Sequence, residues 1–181
     1  MPIQDASNLA WLDLEMTGLE PERDAILEIA AVVTDAQLKV IAEGPVIAVH
    51  QTEEVLVSMD PWCVDQHGKS GLTQRCRLSS YTLEQAEREI FEFVSAYCPE
   101  KKVPVCGNTI GQDRRFLVKY MPKLHDYFHY RSVDVSTIKE LVKRWYPDEK
   151  YVYSKAKQHE ALADIYESIA ELSHYRRAVF K

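Results

Sequence analysis

The chain has 181 residues, of which 46% are hydrophobic and 28% charged, a balance that predicts a single globular domain over residues 1–181. Its net charge of −6, from 22 basic and 28 acidic residues, argues against holding long nucleic acids by phosphate neutralisation, although a short anionic substrate bound with divalent ions is compatible with it. No apolar run could span a bilayer, the N-terminus lacks a secretory pattern and the four cysteines show no paired spacing, so we expect a reduced, cytoplasmic protein without membrane contact.

The first 50 residues predict three β-strands. Residues 8–15 have the composition of a buried strand, and two runs rich in β-branched residues follow at 25–35 and 39–50. The turn DAQL between those runs is typical of a hairpin. Residues 59–72 are expected to be irregular, with short helical turns.

The rest of the chain predicts strands that alternate with helices. Apolar residues at three- and four-residue steps indicate an amphipathic helix over 82–98, with Thr82 as its cap. Further strands are expected at 102–106 and 132–135, and further helices at 110–121, 136–145 and 159–180. Three strands followed by this alternation indicate an α/β fold, with a mixed central sheet flanked by helices.

Two acidic residues interrupt the first predicted strand. Side chains two residues apart on a strand point to the same face, so Asp13 and Glu15 would lie close together. Two neighbouring carboxylates repel each other and lose hydration when a sheet buries them. A solvated strand face would explain the pair, but so would a hard divalent cation such as Mg²⁺, which converts the repulsion into attraction.

Three more residues are candidates for the same site. Asp113 follows a short predicted strand, and its alternative role is that of a first-turn acid that favours the helix dipole. Asp164 lies on the flank of the apolar stripe formed by Leu162, Ile165, Ile169 and Leu172, where a surface charge is the alternative. Five residues on a helix turn by roughly 140°, so His159 can share a site with Asp164 only from the loop before the helix. A lone histidine there could equally be a capping or surface residue.

The order and surroundings of these residues resemble a known family. The segments DLEMTGL, CGNTIGQDRRFL and HEALADIYESIAEL are similar to the three exonuclease motifs of the DEDD superfamily, in the branch with a histidine five residues before the last aspartate. More narrowly, the chain resembles the oligoribonuclease family nearly from end to end. The intervening blocks AEGP, HGKSGL, KYMP, YFHYR, DVSTIKEL and RRAVF also belong to that pattern.

The resemblance implies a ribonuclease H-like fold and a 3′-to-5′ exoribonuclease that cuts very short oligoribonucleotides, dinucleotides in particular, to 5′-mononucleotides. It implies two Mg²⁺ or Mn²⁺ ions, which would activate water and stabilise the attacking and leaving oxygens of an in-line displacement. The family pattern assigns these ions to Asp13, Glu15, Asp113 and Asp164. The same pattern makes His159 the general base, a role that suits a side chain poised near physiological pH.

The resemblance also implies residues that select short substrates. Leu19 would act as a wedge between bases, Trp62 as a stacking surface, and His67 would line the site. A cap on the terminal phosphate would consist of Thr109, Arg131, Ser136 and Thr137, with Tyr130 contributed by a second subunit. Position 109 is usually Ser in this family, so the methyl group of Thr changes the geometry there. Without the resemblance, Trp62 reads equally as a half-buried core residue, and Tyr130 and Arg131 as ordinary surface.

The family pattern further implies a homodimer, with YFHYR and HYRRAVF as contact surfaces, although either segment could be intramolecular core. Two other functions stay open. One is a DEDD exonuclease that acts on DNA 3′ ends, which the metal-site residues do not exclude but the phosphate-cap residues disfavour. The other is an inactive relative that binds RNA or protein, against which the complete set of five catalytic residue types argues.

Overall fold

A five-stranded sheet in the order β3-β2-β1-β4-β5 forms the centre of the protein, whose structure is a computed structural model that describes residues 2–154 and 160–180. The strands are β1 (Leu9–Met16), β2 (Ile26–Thr34), β3 (Val40–Ala48), β4 (Val105–Gly107) and β5 (Ser132–Asp134). β2 pairs antiparallel with both β1 and β3, whereas β4 is parallel to both β1 and β5. The sheet is therefore mixed, as the sequence predicts, because loops without helices join the first three strands and helices make the later crossovers.

Helices cover the sheet and its edges. They are α1 (Glu53–Val57), α2 (Pro61–Lys69), α3 (Leu72–Leu78), α4 (Leu83–Tyr97), α5 (Ile110–Tyr120), α6 (Pro122–Tyr127), α7 (Val135–Trp145) and α8 (Ala161–Ala178), with a short 3-10 helix at Glu149–Tyr151. In the described parts of the chain, none of them combines the length and the apolar character needed to cross a membrane.

The alternation of β1 decides which helices meet its side chains. Leu12 and Leu14 pack into a cluster with residues of α4 and α5 on one face of the sheet. Trp11 packs on the other face, in a cluster with residues of α7 and α8. Since Asp13 and Glu15 share the parity of Trp11, they lie on the face that α8 covers. The fold thus directs the two acids toward the C-terminal helix.

In three places a cap or a proline explains why the structure differs from the predicted elements. Residues 59–72 are more ordered than expected, because Asp60 accepts hydrogen bonds from the amides of Trp62 and Cys63 and so caps α2, which has Pro61 in its first turn. β4 begins only at Val105, since Pro104 has no amide hydrogen to donate to a neighbouring strand. α7 begins one residue earlier than expected, because Asp134 accepts from the amide of Ser136 and acts as the cap.

The predicted cap of α4 is confirmed, and it offers a test of local stability. The Thr82 hydroxyl accepts from the Gln85 amide at 3.2 Å, while the Gln85 side chain accepts from the Thr82 amide at 2.8 Å. We expect Thr82→Ala to lower the free energy of unfolding by about 1 kcal/mol in urea denaturation, because it removes the side-chain cap of a helix that packs on the core. Thr52→Ala is the matched control, since Thr52 caps only the five-residue α1 through a longer bond of 3.4 Å. A larger loss at Thr52 than at Thr82 would contradict the prediction.

Candidate metal-binding active site

Three of the predicted metal ligands come together at the end of β1. Asp13, Glu15 and Asp164 each place a carboxylate oxygen within 4.8 Å of the others, and all three residues are half-buried. Two of them lie on β1 and the third in the first turn of α8, which packs across the sheet face that Asp13 and Glu15 share. The solvated strand face and the surface charge, the alternatives for these residues, do not describe this arrangement.

Asp113 lies beside this group, and its carboxylate points toward the backbone of β1. It is buried in the first turn of α5, and its Oδ1 accepts a hydrogen bond from the Leu14 amide at 3.0 Å. This bond ties the start of α5 to β1 between the two strand acids. Asp113 is not one of the three residues within 4.8 Å, but its charge is close enough to act on Glu15.

Crowding of carboxylates in a buried pocket changes their protonation. Burial, and then the neighbouring charges of Asp164, Glu28 and Asp113, raises the pKa of Glu15 from 4.5 to about 7. Burial likewise raises the pKa of Asp113 from 3.8 to about 7, although the Leu14 amide opposes the shift. Protons are one way to relieve such repulsion, and a hard cation is the other. The donor set, carboxylate oxygens in a half-buried group, fits a divalent metal that prefers oxygen ligands.

A buried ion pair stands next to this group. Glu28 lies directly opposite Glu15 in the β1–β2 register and is 1% exposed. Its Oε1 is 2.5 Å from a guanidinium nitrogen of Arg75 on α3, and its carboxylate also accepts from the Ala161 amide at the start of α8. Burial raises the pKa of Glu28, and Arg75 opposes that shift. Glu28 thus fixes the beginning of the helix that carries Asp164.

Glu28 and Arg75 are absent from the predicted site residues. The sequence contains a signal for Glu28, namely a single charge in the middle of the apolar run AILEIAAVV. A buried strand tolerates such a charge only with a partner. The partner Arg75 is 47 residues away and carries no comparable signal.

A cleft of about 910 Å³ opens onto the carboxylates. Its lining includes Asp13, Glu15 and Asp164, together with the predicted substrate residues Leu19, Trp62 and His67. Leu19 is 64% exposed and Trp62 59% exposed, so Trp62 is not the half-buried core residue that its alternative reading describes. Two large apolar side chains therefore stand in solvent on the walls of an acidic cleft.

The loop after β1 is shaped to present Leu19. A Cβ atom on Gly18 would lie 2.4 Å from the Asp24 carboxylate, so any larger residue there would require the Asp24 side chain to move. The Leu19 carbonyl accepts from the side chains of Gln112 and Arg115 on α5. The loop is thereby fastened to the helix that carries Asp113.

His67 connects α2 to the end of β1. It is 2% exposed, and its Nε2 lies 3.0 Å from the Met16 carbonyl oxygen. Because a carbonyl only accepts, Nε2 carries the hydrogen and donates. The other ring nitrogen, Nδ1, is 3.9 Å from a Glu15 carboxylate oxygen. The ring therefore lies against Glu15 and helps to hold α2 at the cleft.

The four predicted phosphate-cap residues lie elsewhere. Thr109, Ser136 and Thr137 follow the C-terminal ends of the parallel strands β4 and β5, whereas Arg131 precedes β5, at its opposite end. Among the described residues that line the cleft, none of the four is present. The carboxylate of Asp134 joins two of them, because its Oδ1 accepts from the Thr109 amide at 2.9 Å and from the Ser136 amide at 2.9 Å. Sequence reasoning missed Asp134, since a strand-end aspartate before a helix reads as an ordinary cap. The remaining two, Arg131 and Thr137, are exposed.

The bonds of Asp134 constrain both cap residues. Thr109 has a φ of 55°, in the left-handed region that a β-branched residue rarely adopts, and the bond to its amide helps to hold it there. The Ser136 hydroxyl donates to Asp134 Oδ1 at 2.6 Å. In this arrangement the Ser136 oxygen is left to accept, and its proton is directed at Asp134 rather than at a ligand.

Two further predicted residues remain. Tyr130 is 74% exposed and does not line the cleft of its own chain. His159 lies outside the described residues, so its role as general base stays a prediction.

The raised pKa of Glu15 predicts an unusual stabilising substitution. A carboxyl whose folded pKa exceeds its unfolded value adds stability that is present below pH 4.5 and lost as the pH rises through about 7. We therefore expect Glu15→Gln to raise the free energy of unfolding by about 1–3 kcal/mol at pH 8 in EDTA, and to have little effect at pH 5. Urea denaturation at the two pH values measures this difference.

The control is Glu54→Gln, the same change at an exposed helix position, for which we expect an effect within about 0.5 kcal/mol at both pH values. Adding Mg²⁺ at pH 8 should reverse the order of wild type and Glu15→Gln, because only the wild type keeps the full ligand set. A Glu15→Gln protein that is less stable than wild type at pH 8 in EDTA would show that the carboxylates do not repel one another as described.

Comparison with known proteins agrees with this geometry. The family model described as "Exonuclease" matches residues 10–172. Solved structures with the same fold include the zinc-bound E. coli exonuclease I–ssDNA complex, at a TM-score of 0.73 and 18% identity, and exonuclease I from Methylocaldum szegediense, at 0.72 and 20%. Both alignments cover 96% of this chain and 41% of the solved chain, so this chain spans about two fifths of those proteins. The architecture is thus the ribonuclease H-like α/β fold of exonuclease I.

Other relatives are much more similar in sequence, and they align with this chain over nearly its whole length. The oligoribonuclease of Pseudoalteromonas atlantica is 59% identical over 176 residues, which is 97% of each chain. The oligoribonucleases of Colwellia psychrerythraea and Shewanella amazonensis are each 58% identical, over 97% and 98% of this chain and the same shares of their own. The exonuclease model includes both β1, which carries Asp13 and Glu15, and the part of α8 that carries Asp164. This chain therefore belongs to the exonuclease family and, within it, to the oligoribonucleases.

Proposed function

We propose that this protein is a metal-dependent 3′-to-5′ exoribonuclease that cuts short single-stranded oligoribonucleotides, dinucleotides above all, to 5′-mononucleotides. The observation that carries the proposal is the meeting of Asp13, Glu15 and Asp164 within 4.8 Å, in a cleft whose walls expose Leu19 and Trp62. The relatives named oligoribonuclease support this proposal, because they align with this chain over nearly their full length. Residues 1–181 act as one exonuclease domain, which the span of the family match supports.

The metal ligands would be Asp13, Glu15 and Asp164, with Asp113 completing the set of four acids. Two Mg²⁺ or Mn²⁺ ions are the proposed occupants, because four carboxylates can neutralise two dications and leave positions open. When bound, these ions supply Lewis-acid stabilisation for hydrolysis of the phosphodiester. The half-buried carboxylates and the raised pKa values of Glu15 and Asp113 support the fit.

The other residues orient the substrate and move a proton. Leu19 separates the two bases and Trp62 stacks on one of them, roles that their exposure in the cleft supports. His67 keeps α2, and with it Trp62, against β1. His159 accepts the proton of the attacking water, an assignment supported by the sequence motif alone.

The terminal phosphate is held by a cap that limits substrate length. Arg131 and the hydroxyl groups of Thr109, Ser136 and Thr137 contact its oxygens. The Ser136 hydroxyl must turn away from Asp134 to donate to a phosphate, since it donates to that carboxylate in the structure. The methyl group of Thr109, at a residue already in the left-handed region, narrows the space for that phosphate.

The cap is completed by a second subunit in a homodimer. Tyr130 supports this proposal, because an aromatic ring 74% exposed on its own chain has the position of a residue that acts on a neighbour. The segment around it is basic and aromatic, as a contact to phosphate requires. The four cysteines are buried and unlinked, which supports a reduced, cytoplasmic setting.

Substrate length tests the proposed function. We expect the wild type, with Mg²⁺, to hydrolyse a 5′-labelled diribonucleotide faster than a 20-nucleotide RNA, because the proposed cap contacts the phosphate of a dinucleotide and excludes further nucleotides. Rates from a labelled time course give the ratio, and EDTA should abolish both reactions. Faster cutting of the long RNA, or of a DNA 3′ end, would favour the DNA exonuclease instead, and an inert wild type would favour a binding module.

Loss of one carboxylate tests the metal ligands. We expect Asp164→Asn to lower kcat by at least about 100-fold, because even residues that only support a metal ligand contribute 10–100-fold. Calorimetry with Mn²⁺ should show weaker or fewer bound ions. Asp148→Asn is the control, since Asp148 is exposed, does not line the cleft and caps the short 3-10 helix. Full activity of Asp164→Asn would show that the assigned site is wrong.

A further inference from the structure

The segment between α6 and β5, residues 128–131, projects an aromatic ring that belongs to no core. Tyr130 is 74% exposed, with its ring 4.4 Å from the His129 ring and 5.4 Å from the Arg131 guanidinium, measured between centres. Three backbone amides of the segment donate hydrogen bonds: Phe128 to the His125 carbonyl at 3.3 Å, His129 to the Val103 carbonyl at 2.9 Å, and Arg131 to the His129 ring at 3.1 Å. Such a segment needs other contacts to keep one conformation.

Arg114 supplies those contacts. Its guanidinium donates to the His129 carbonyl at 3.0 Å and to the Arg131 carbonyl at 3.2 Å, so the two acceptors bracket Tyr130. It also donates to the Ser132 hydroxyl at 2.9 Å, at the first residue of β5. A fourth bond runs from Nε to the His125 ring on α6, at 3.3 Å.

The chemistry of these bonds requires arginine. The acceptors are two carbonyls, a hydroxyl and a ring nitrogen. Within the described residues Arg114 forms no ion pair, so the contribution of its side chain lies in the planar fork of donors. Arg114 is half-buried, and its burial lowers the pKa of the guanidinium. A charged side chain held this way indicates that the conformation of residues 129–132 matters.

The position of Arg114 along α5 links the segment to the metal cluster. It directly follows Asp113, whose carboxylate is bonded to the β1 backbone at Leu14. The same turn of helix therefore holds the reaction centre on one side and the projecting segment on the other. This fixes the spacing between the scissile phosphate and the residues that would contact the far end of a dinucleotide.

We propose that Arg114 is a positioning residue for substrate-length selection, which holds residues 129–132 so that Arg131 meets the terminal phosphate and Tyr130 meets the partner subunit's substrate. This inference rests on the proposed function, because it assigns Arg114 a role through the cap. Arg114 itself contacts the segment and not the substrate, so its effect should appear in KM for capped substrates rather than in the chemistry at the metal cluster.

Two substrates separate these effects. A 5′-phosphorylated diadenylate has the terminal phosphate, whereas the p-nitrophenyl ester of thymidine 5′-monophosphate has a phosphodiester but no such group. For Arg114→Gln we expect kcat/KM on the diadenylate to fall roughly 10- to 100-fold, mainly through KM, since several charge-assisted bonds are lost. The ester should change by no more than about threefold. Arg114→Lys should lose less than Arg114→Gln, because an ammonium reaches some of the acceptors but lacks the fork.

A double-variant cycle tests the route of the effect. If Arg114 acts through Arg131, then Arg114→Gln combined with Arg131→Ala should lose no more on the diadenylate than the larger single loss. Fully additive losses would show that Arg114 acts by another route and would overturn the proposal.

Controls keep the inference separate from the proposed function. Arg144→Gln removes an exposed arginine that pairs with Glu140 on α7, and it should leave both substrates unchanged. Equal losses on both substrates for Arg114→Lys, with an unaltered melting temperature, would overturn the inference, as would an Arg114→Gln protein with unchanged KM for the diadenylate. If the wild type itself fails to cleave the diadenylate, the proposed function is wrong, independently of Arg114.

Discussion

Electrostatic repulsion among buried carboxylates is the constraint on which this structure depends. The β1 strand places Asp13 and Glu15 on one face, and α8 adds Asp164 to the same half-buried group. Burial, and then the neighbouring carboxylates, raises the pKa of Glu15 to about 7, and burial raises the pKa of Asp113 to about 7, so that without a cation these groups take up protons more readily than free carboxyls. The fold thus holds its acids in a state that favours binding of divalent metals.

Much of the surrounding structure maintains that arrangement. Asp113 is bonded to the backbone of β1 between the two strand acids, and Glu28 bonds the start of α8 while Arg75 balances its charge. The first interaction joins β1 to α5, which both carry acids of the site, and the ion pair joins β2 to α3 directly beside Glu15. The sheet therefore holds the carboxylates in position. The apolar cores on its two faces provide the stabilisation that opposes the charge repulsion.

A second group of polar interactions shapes the ends of β4 and β5. Asp134 joins the turn at Thr109 to the start of α7, and Arg114 fastens the segment around Tyr130 to α5. Asp134 is bonded to Thr109 and Ser136, and Arg114 is bonded to the Arg131 carbonyl. The family pattern assigns all three of these partners to phosphate binding. Selection of very short substrates, in this view, depends on residues that support the binding groups as well as on the binding groups themselves.

The sequence by itself determined the five strands, the four longest helices and the chemistry of the acids. Periodicity located the strands and α8, because an amphipathic pattern is a local property, and the two-residue spacing on β1 placed Asp13 and Glu15 on one face. The resemblance to the family then assigned Asp113 and Asp164 to the same metal site as Asp13 and Glu15. It could not reveal Glu28–Arg75, Asp134 or the clamp by Arg114, since each pairs residues whose proximity arises only when the chain folds. Whether Trp62 lies in the core or in solvent was likewise decided by the tertiary structure, because burial depends on what packs against α2 and not on residue type.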